Sequence, residues 1–436
     1  MKSTPLHRLS ACEAQAALAQ RSLRAEDLVR ACLDRIAERE PQVQAWQWLA
    51  ADAALARARA LDAGAWQGPL HGLPIGVKDL IDTGDMPSGY GSPIYAQQRP
   101  LADASCVATL RACGGVVIGK TVTTEFATFT PNQTRNPLRL THTPGGSSSG
   151  SAAAVADAMV PLALGTQTAG SLIRPASFCG VVAFKPTFGR IWRAGVKPLS
   201  DSLDTVGTLA RDVPDAALLA AALAGRDDWK ARPWAEASGG PLRVGLCRTF
   251  EWPQAGADTE ATFAQAQAAL AAPSRRSDVV LREVELPASW RTLVAAQTQI
   301  QLYEQTQSLR HEHLALRDRL SVRLQGILDD GARVTIAQYD AAQQLAAQCR
   351  AELAQVFEGV DVLLAPSVIG PAPQGLDATG DPLFCRIWTL LHTPALNIPV
   401  GTAADGLPVG LQVVARPGDD ALALSAAHAL HQWLAH

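Results

Sequence analysis

Pro144-Gly145-Gly146-Ser147-Ser148-Ser149-Gly150-Ser151 runs into Ala152-Ala153-Ala154-Val155-Ala156, and Gly165-Thr166-Gln167-Thr168-Ala169-Gly170-Ser171 follows shortly after. Glycine lets a backbone approach a ligand closely and adopt positive φ, so two clusters of glycines and hydroxyls read as loops built to hold something. An isolated glycine-serine tract is more often a solvated linker. Here Pro144 punctuates the entry and the alanines continue as a helix of small residues suited to close packing, which argues for a buried loop. Working outward, short apolar strands alternate with helices from Leu73 through Val182, the pattern of a sheet covered on both faces.

A serine becomes a nucleophile only when its proton has somewhere to go, and the usual recipients are His, Lys or an N-terminal amine. Lys78 lies in Leu73-Pro74-Ile75-Gly76-Val77-Lys78-Asp79-Leu80-Ile81, an apolar run that reads as a buried strand or strand end. Lysine in water keeps its proton to about pH 10.4, so accepting one near pH 7 requires the neutral form, at a cost of roughly 4 kcal/mol that desolvation can supply. As strand neighbours, Val77 and Asp79 point to the face opposite Lys78, so the adjacent carboxylate is not expected to pair with it. A hydroxyl between nucleophile and lysine, being donor and acceptor at once, can relay the proton both ways.

These residues resemble the amidase signature family, serine hydrolases that cleave amide bonds with a Ser-Ser-Lys triad. Gly76-Val77-Lys78-Asp79 is similar to the family's lysine motif and Gly145-Gly146-Ser147-Ser148 to its glycine-serine signature. Gly165 to Ser171, with Phe178-Cys179-Gly180 and Lys185-Pro186-Thr187, is similar to its nucleophile region. The resemblance implies that Ser171 forms the acyl-enzyme, that Ser147, on a cis peptide, is the bridging serine, and that Lys78 is the base. The interval between the serines, 171 − 147 = 24, agrees with the family's spacing. The resemblance also implies one α/β/α domain over residues 1–436 with a large mixed β-sheet, strongest over 70–210 and weaker through a variable, mostly helical region at 213–320. Backbone N–H groups fixed in a turn hold the charge of a tetrahedral intermediate, and the amides of Thr168, Ala169, Gly170 and Ser171 are the candidates. By alignment of the motif, Ala127 falls where the family lines its acyl pocket, with Gln167 and Trp388 bordering it. Tyr303 and Trp192 are further candidate pocket aromatics, although buried aromatics are more often core.

The chain departs from the family pattern at Gln167 (commonly Asp), Ala169 (frequently Gly), Ser149 (Gly) and Arg174, one position later than is common. If the usual Asp and Arg pair beneath the loop, a neutral Gln167 leaves a buried guanidinium without its anion, and moving the arginine avoids that.

Two other motifs compete. Gly114-Gly115-Val116-Val117-Ile118-Gly119-Lys120-Thr121 matches the phosphate-loop pattern G-x4-G-K-S/T. Its β-branched residues read instead as a strand entered from the helix 104–113 through Gly114. Gly146-Ser147-Ser148-Ser149-Gly150 fits the nucleophile elbow G-x-S-x-G with Ser148 as nucleophile. That motif needs a hydrophobic strand before it, and Arg139 to Pro144 is a poor one; of the histidines it would require, His311 and His313 are expected to face solvent and His392 to be structural or near the substrate.

With 436 residues and 47% hydrophobic content, no linker or charge run divides the chain. A net charge of −3 gives no basic field, so no nucleic-acid partner is expected. Cys12, Cys32, Cys106, Cys113, Cys179, Cys247, Cys349 and Cys385 show no paired metal spacing and read as reduced thiols of a cytoplasmic protein. Met1-Lys2-Ser3-Thr4-Pro5 lacks the apolar core of a signal peptide, and no apolar run is long enough to span a membrane, so no membrane association is expected. No metal or organic cofactor is implied; the expected partner is a small-molecule amide, with a homodimer possible in principle.

Local signals mark helices at Ser10/Glu13 (a capping box), from Leu28 through Ile36 to a stop before Pro41, from Ala51 to Asp62, and from Thr335/Gln338 toward Phe357, with a last one from Ala421. Strands are expected at Leu242 to Cys247, Val279 to Glu285, Val362 to Pro366, Ala395 to Pro399 and Val409 to Val414. The functional expectation is an amidohydrolase releasing ammonia or an amine from a small carboxamide. The alternative is the amidase subunit of a glutamine-dependent amidotransferase complex.

Overall fold

The computed structural model describes residues 4–238, 240–275 and 277–434. Met1, Lys2 and Ser3, read above for a leader, lie outside them. The chain-long core is one sheet of eleven strands. In chain order these are β1 (Trp46–Leu49), β2 (Pro74–Lys78), β3 (Val116–Thr121), β4 (Leu162–Gln167), β5 (Val182–Lys185) and β6 (Thr205–Ala210), then β7 (Leu242–Leu246), β8 (Val279–Glu283), β9 (Val362–Pro366), β10 (Ala395–Thr402) and β11 (Pro408–Val414). Their spatial order is β1-β3-β2-β4-β6-β5-β10-β11-β9-β7-β8. β2 runs parallel to β3 and β4, and β7 parallel to β8 and β9, while the remaining pairings are antiparallel, so the sheet is mixed as expected.

The central strands carry continuous apolar runs because both faces are covered: every residue of β2, β3, β4, β5, β6 and β9 is buried. The helices Val213–Ala224 and Asp420–Leu434 pack together over β5, β6 and β10. The helix Ser149–Ala156 lies against β2, β4 and β6, with Ala152, Ala153 and Ala154 wholly buried. Small side chains let that helix approach the sheet. Gly150 is obligatory there, since a Cβ would stand 2.2 Å from the Ala45 carbonyl and 2.4 Å from the Val122 amide.

Both capping boxes form, Ser10 with Glu13 and Thr335 with Gln338. The helix expected to stop before Pro41 instead runs Ala25–Val43. Proline there forfeits a single bond in the last turns, and Gln44 closes the helix in the left-handed conformation. Two strands escaped the sequence reading. β1 is only four residues long, and β6 is a buried run that slots between β4 and β5, antiparallel to both. The phosphate-loop match is the strand β3, with no α-helix opening at Thr121, and Lys120 is buried in an ion pair with Asp79 at 2.9 Å. All eight cysteines are free; Cys12 and Cys113 are half-buried and the other six buried. No helix among the described residues is long and apolar enough to cross a membrane.

Candidate active site

β2 and β4 are parallel neighbours, so Lys78 and the turn after Gln167 emerge together at the carboxyl ends of their strands, where open α/β sheets place ligand sites. Lys78 is wholly buried, and its Nζ lies 2.7 Å from Ser147 Oγ and 2.7 Å from Thr166 Oγ1. No carboxylate forms an ion pair with it among the described residues. Burial holds the amine well below the ordinary lysine range, against a weaker opposing pull from the Asp204 carboxylate. Asp79, as expected, turns away: it pairs with Lys120 and accepts from the Gly89 amide.

The Gly146-Ser147 peptide is cis, as the resemblance implied. The other serines of the tract are occupied by structure. Ser148 Oγ donates to the Thr166 carbonyl at 3.2 Å and accepts from the Thr166 amide at 3.3 Å. Ser149 Oγ donates to the Val122 carbonyl, and Ser151 Oγ to the Leu164 carbonyl. The tract is therefore stitched to β4 and to the segment after β3, and Ser147 alone reaches the lysine. This arrangement leaves Ser148 without the base that an elbow nucleophile needs.

Ser171 stands at the start of the segment leading into the helix Ile173–Cys179 and is 8% exposed. Its carbonyl accepts from the Ser148 amide at 3.2 Å, which fastens the loop of Ser147 to the loop of Ser171. The structure thus brings Lys78 and Ser147 into contact and sets Ser171 on the adjoining loop, its hydroxyl free of protein hydrogen bonds among the described residues.

The turn from Thr168 to Ser171 has one-sided hydrogen bonding. None of its four amide N–H groups donates to a protein acceptor among the described residues, whereas all four carbonyls are bound. Gln297 Nε2 donates to the Thr168 carbonyl at 3.1 Å, Thr389 Oγ1 to the Ala169 carbonyl at 2.7 Å, and the Arg174 amide to the Gly170 carbonyl at 2.9 Å. A Cβ at Gly170 would lie 2.8 Å from Cβ of Pro382, the residue before the helix Leu383–Leu390, so glycine is required beneath that helix.

Of the four departures from the family pattern, those at Gln167 and Arg174 resolve separately. Gln167 Oε1 accepts the amides of Leu172 at 2.9 Å and Ile173 at 3.1 Å, and its Nε2 donates to Thr389 Oγ1 at 2.9 Å. Gln167, named above as bordering the pocket, is wholly enclosed and spends its amide on the residues that follow Ser171 and on Thr389. Arg174, also buried, has no anionic partner among the described residues; it donates to the carbonyls of Gly380 and Gly146 and to Thr379 Oγ1, and desolvation lowers its pKa to about 10. Carbonyl dipoles stand in for the missing carboxylate, and one of them belongs to the peptide that carries Ser147.

Ala127 belongs to a separate apolar cluster with Leu80, Tyr90, Phe126, Leu199 and Leu309, and Phe126 and Ala127 both adopt positive φ, 46° and 57°. Of the candidate pocket aromatics, Trp388 is fully buried against Trp290, Tyr303 stacks on Tyr339, and Trp192 is 77% exposed. His392 stacks on Phe188 and is bonded to the Ser202 carbonyl, with its pKa pushed down to about 4 by burial. His311 is exposed as expected, but His313 is half-buried beside Asp329 and Arg317 because the charged stretch folds back onto the helix Val322–Ala332. Thr166, Asp204, Gln297 and Thr389 were not singled out for the site from the sequence; Thr166 sat inside the quoted motif, while Gln297 and Thr389 carry no local signal.

The family model described as Amidase matches residues 27–424. A glutamyl-tRNA(Gln) amidotransferase subunit from Anaeromyxobacter sp. (strain K) is 37% identical over an alignment covering 99% of this chain and 98% of that protein. A solved amidase structure superposes with a TM-score of 0.88 at 30% identity, covering 98% of this chain and 100% of the other. The native peptide amidase from Stenotrophomonas maltophilia superposes with a TM-score of 0.81 at 30% identity, covering 99% and 98%. The chain therefore belongs to the amidase family and is an enzyme acting on amide C–N bonds.

Proposed function

We propose that the protein hydrolyses a small carboxamide to a carboxylate and ammonia or an amine through an acyl-enzyme on Ser171. The Ser171 oxygen attacks the carbonyl carbon while its proton passes to Ser147, which hands its own to the neutral Lys78. The negative charge that develops on the carbonyl oxygen is received by the unoccupied amides of the 168–171 turn. The proton then returns from Lys78 through Ser147 to the departing nitrogen, the C–N bond breaks, and water repeats the sequence to release the acid. Ala127 lines the acyl side of the site, and Gln167 acts by holding the turn.

The observation that carries this reading is the 2.7 Å contact between Ser147 Oγ and a desolvated Lys78 that forms no ion pair among the described residues. A fluorophosphonate probe followed by peptide mass spectrometry tests it. Label is expected on Ser171, and a panel of amides then defines the substrate. Amide hydrolysis surviving in Ser171→Ala sinks the assignment.

A second reading draws on the relative that forms part of a glutamyl-tRNA(Gln) amidotransferase, at 37% identity. In that reading the protein releases ammonia from glutamine within a larger complex. Copurification with partner subunits and glutamine hydrolysis dependent on them favour it; full activity of the isolated chain on simple amides excludes it.

A further inference from the structure

We infer that Gln297 and Thr389 are positioning residues that aim the oxyanion-binding amides, which gives the variable helical region a part in the reaction; the inference rests on Ser171 being the nucleophile. A trans peptide unit is planar, with its N–H antiparallel to its C=O, so fixing a carbonyl fixes the direction of the following amide. The bond from Gln297 to the Thr168 carbonyl therefore sets the Ala169 N–H, and the bond from Thr389 to the Ala169 carbonyl sets the Gly170 N–H. These two amides lie in the turn that precedes the nucleophile and have no protein acceptor among the described residues.

Neither side chain is free to turn. Gln297 is wholly buried on the helix Leu293–Ser308, and Arg386 donates to its Oε1. A guanidinium has only donors, so it selects the amide orientation that presents Nε2 to the turn. Thr389, on the helix Leu383–Leu390, accepts from Gln167 Nε2, and its one proton faces the Ala169 carbonyl at 2.7 Å rather than the Cys385 carbonyl at 3.2 Å. Helices distant in sequence thus converge on two consecutive carbonyls. Since a misdirected donor cannot follow charge onto the oxyanion, the loss appears at the bond-making step rather than in ground-state binding.

The rate of Ser171 phosphonylation by a fluorophosphonate reads this directly and needs no known substrate. In that reaction the serine oxygen bonds to phosphorus, fluoride leaves, the serine proton goes by way of Ser147 to Lys78, and the phosphoryl oxygen occupies the oxyanion position. Gln297→Leu is expected to slow labelling about ten- to a hundredfold, somewhat less than outright removal of an oxyanion donor. Its pH midpoint, set by Lys78, stays in place, and so does the site of labelling. Thr389→Val is expected to slow labelling similarly and Thr389→Ser to restore it within about threefold, a rescue that a packing role would not produce. Equal rates for Thr389→Val and Thr389→Ser overturn the inference, as do unchanged rates in Gln297→Leu; if that variant does not fold, the Thr389 pair decides alone. Wild-type labelling at a residue other than Ser171 overturns the nucleophile assignment and this inference with it, whereas labelling at Ser171 with unaltered variant rates overturns the inference only.

Discussion

Replacing Gln167 with alanine separates two readings of that residue. In the structure its Oε1 is the acceptor for the Leu172 and Ile173 amides at 2.9 and 3.1 Å, in a place without access to water, and its Nε2 supports Thr389 at 2.9 Å. Alanine orphans two buried N–H groups, each costing about 1–3 kcal/mol, so a loss of about 3 kcal/mol in unfolding free energy is expected. The same change frees the first turn of the helix that follows Ser171 and releases one constraint on Thr389, so kcat falls with stability. The assay is guanidinium denaturation followed by intrinsic fluorescence, with the m-value compared between variant and parent, alongside steady-state kinetics on an amide identified from the panel. A variant as stable as the parent, with kcat unchanged and only KM raised, refutes this argument and reinstates Gln167 as a residue that borders the substrate.

Lys78→Met is expected to lower kcat by about 10²–10⁴, as for loss of a general base, with activity of the parent falling on the acid side as Lys78 takes up a proton. Its stability has a signature too: between the depressed native pKa and the ordinary 10.5, the unfolded chain holds a proton that the native one lacks, so the parent loses stability as pH falls through that window and the methionine variant does not. The stability difference, variant minus parent, therefore grows in denaturation curves taken from pH 10 down to pH 7, and a constant difference contradicts a buried neutral amine. Ser148→Ala is expected to keep amide hydrolysis within about tenfold while costing about 1 kcal/mol from its lost bonds to Thr166; abolition of activity would revive the elbow scheme. Asp79→Asn leaves Lys120 as an uncompensated buried charge and is expected to cost about 3–5 kcal/mol in denaturant titration, without moving the acid limb that Lys78 controls.

The two capping boxes and most of the buried strands were readable because their signals are local. Ser10 with Glu13 and Thr335 with Gln338 satisfy helix ends from three residues away. Apolar runs such as Val116 to Ile118 mark strands wherever they pair. β1 was lost between two helical patterns, and β6 because no chemistry called attention to it. The expectation that the shifted position spares Arg174 burial without an anion does not hold, because the Gly146 and Gly380 carbonyls that receive its guanidinium come from loops 28 and 206 residues away in the chain.

The sequence by itself determined that a lysine would lie in an apolar strand, that the glycine-serine tract would be a buried loop leading into a helix of small residues, and that a sheet would be covered on both faces. These follow from residue type, spacing and periodicity, which act over a few residues. Only the tertiary structure decided that Asp79 would go to Lys120, that Ser147 rather than its neighbours would meet Lys78, and that Gln297 and Thr389 would grip the turn before Ser171. Hydrogen bonds select partners by direction and distance in space, and Gln297 stands 129 residues along the chain from the carbonyl it holds.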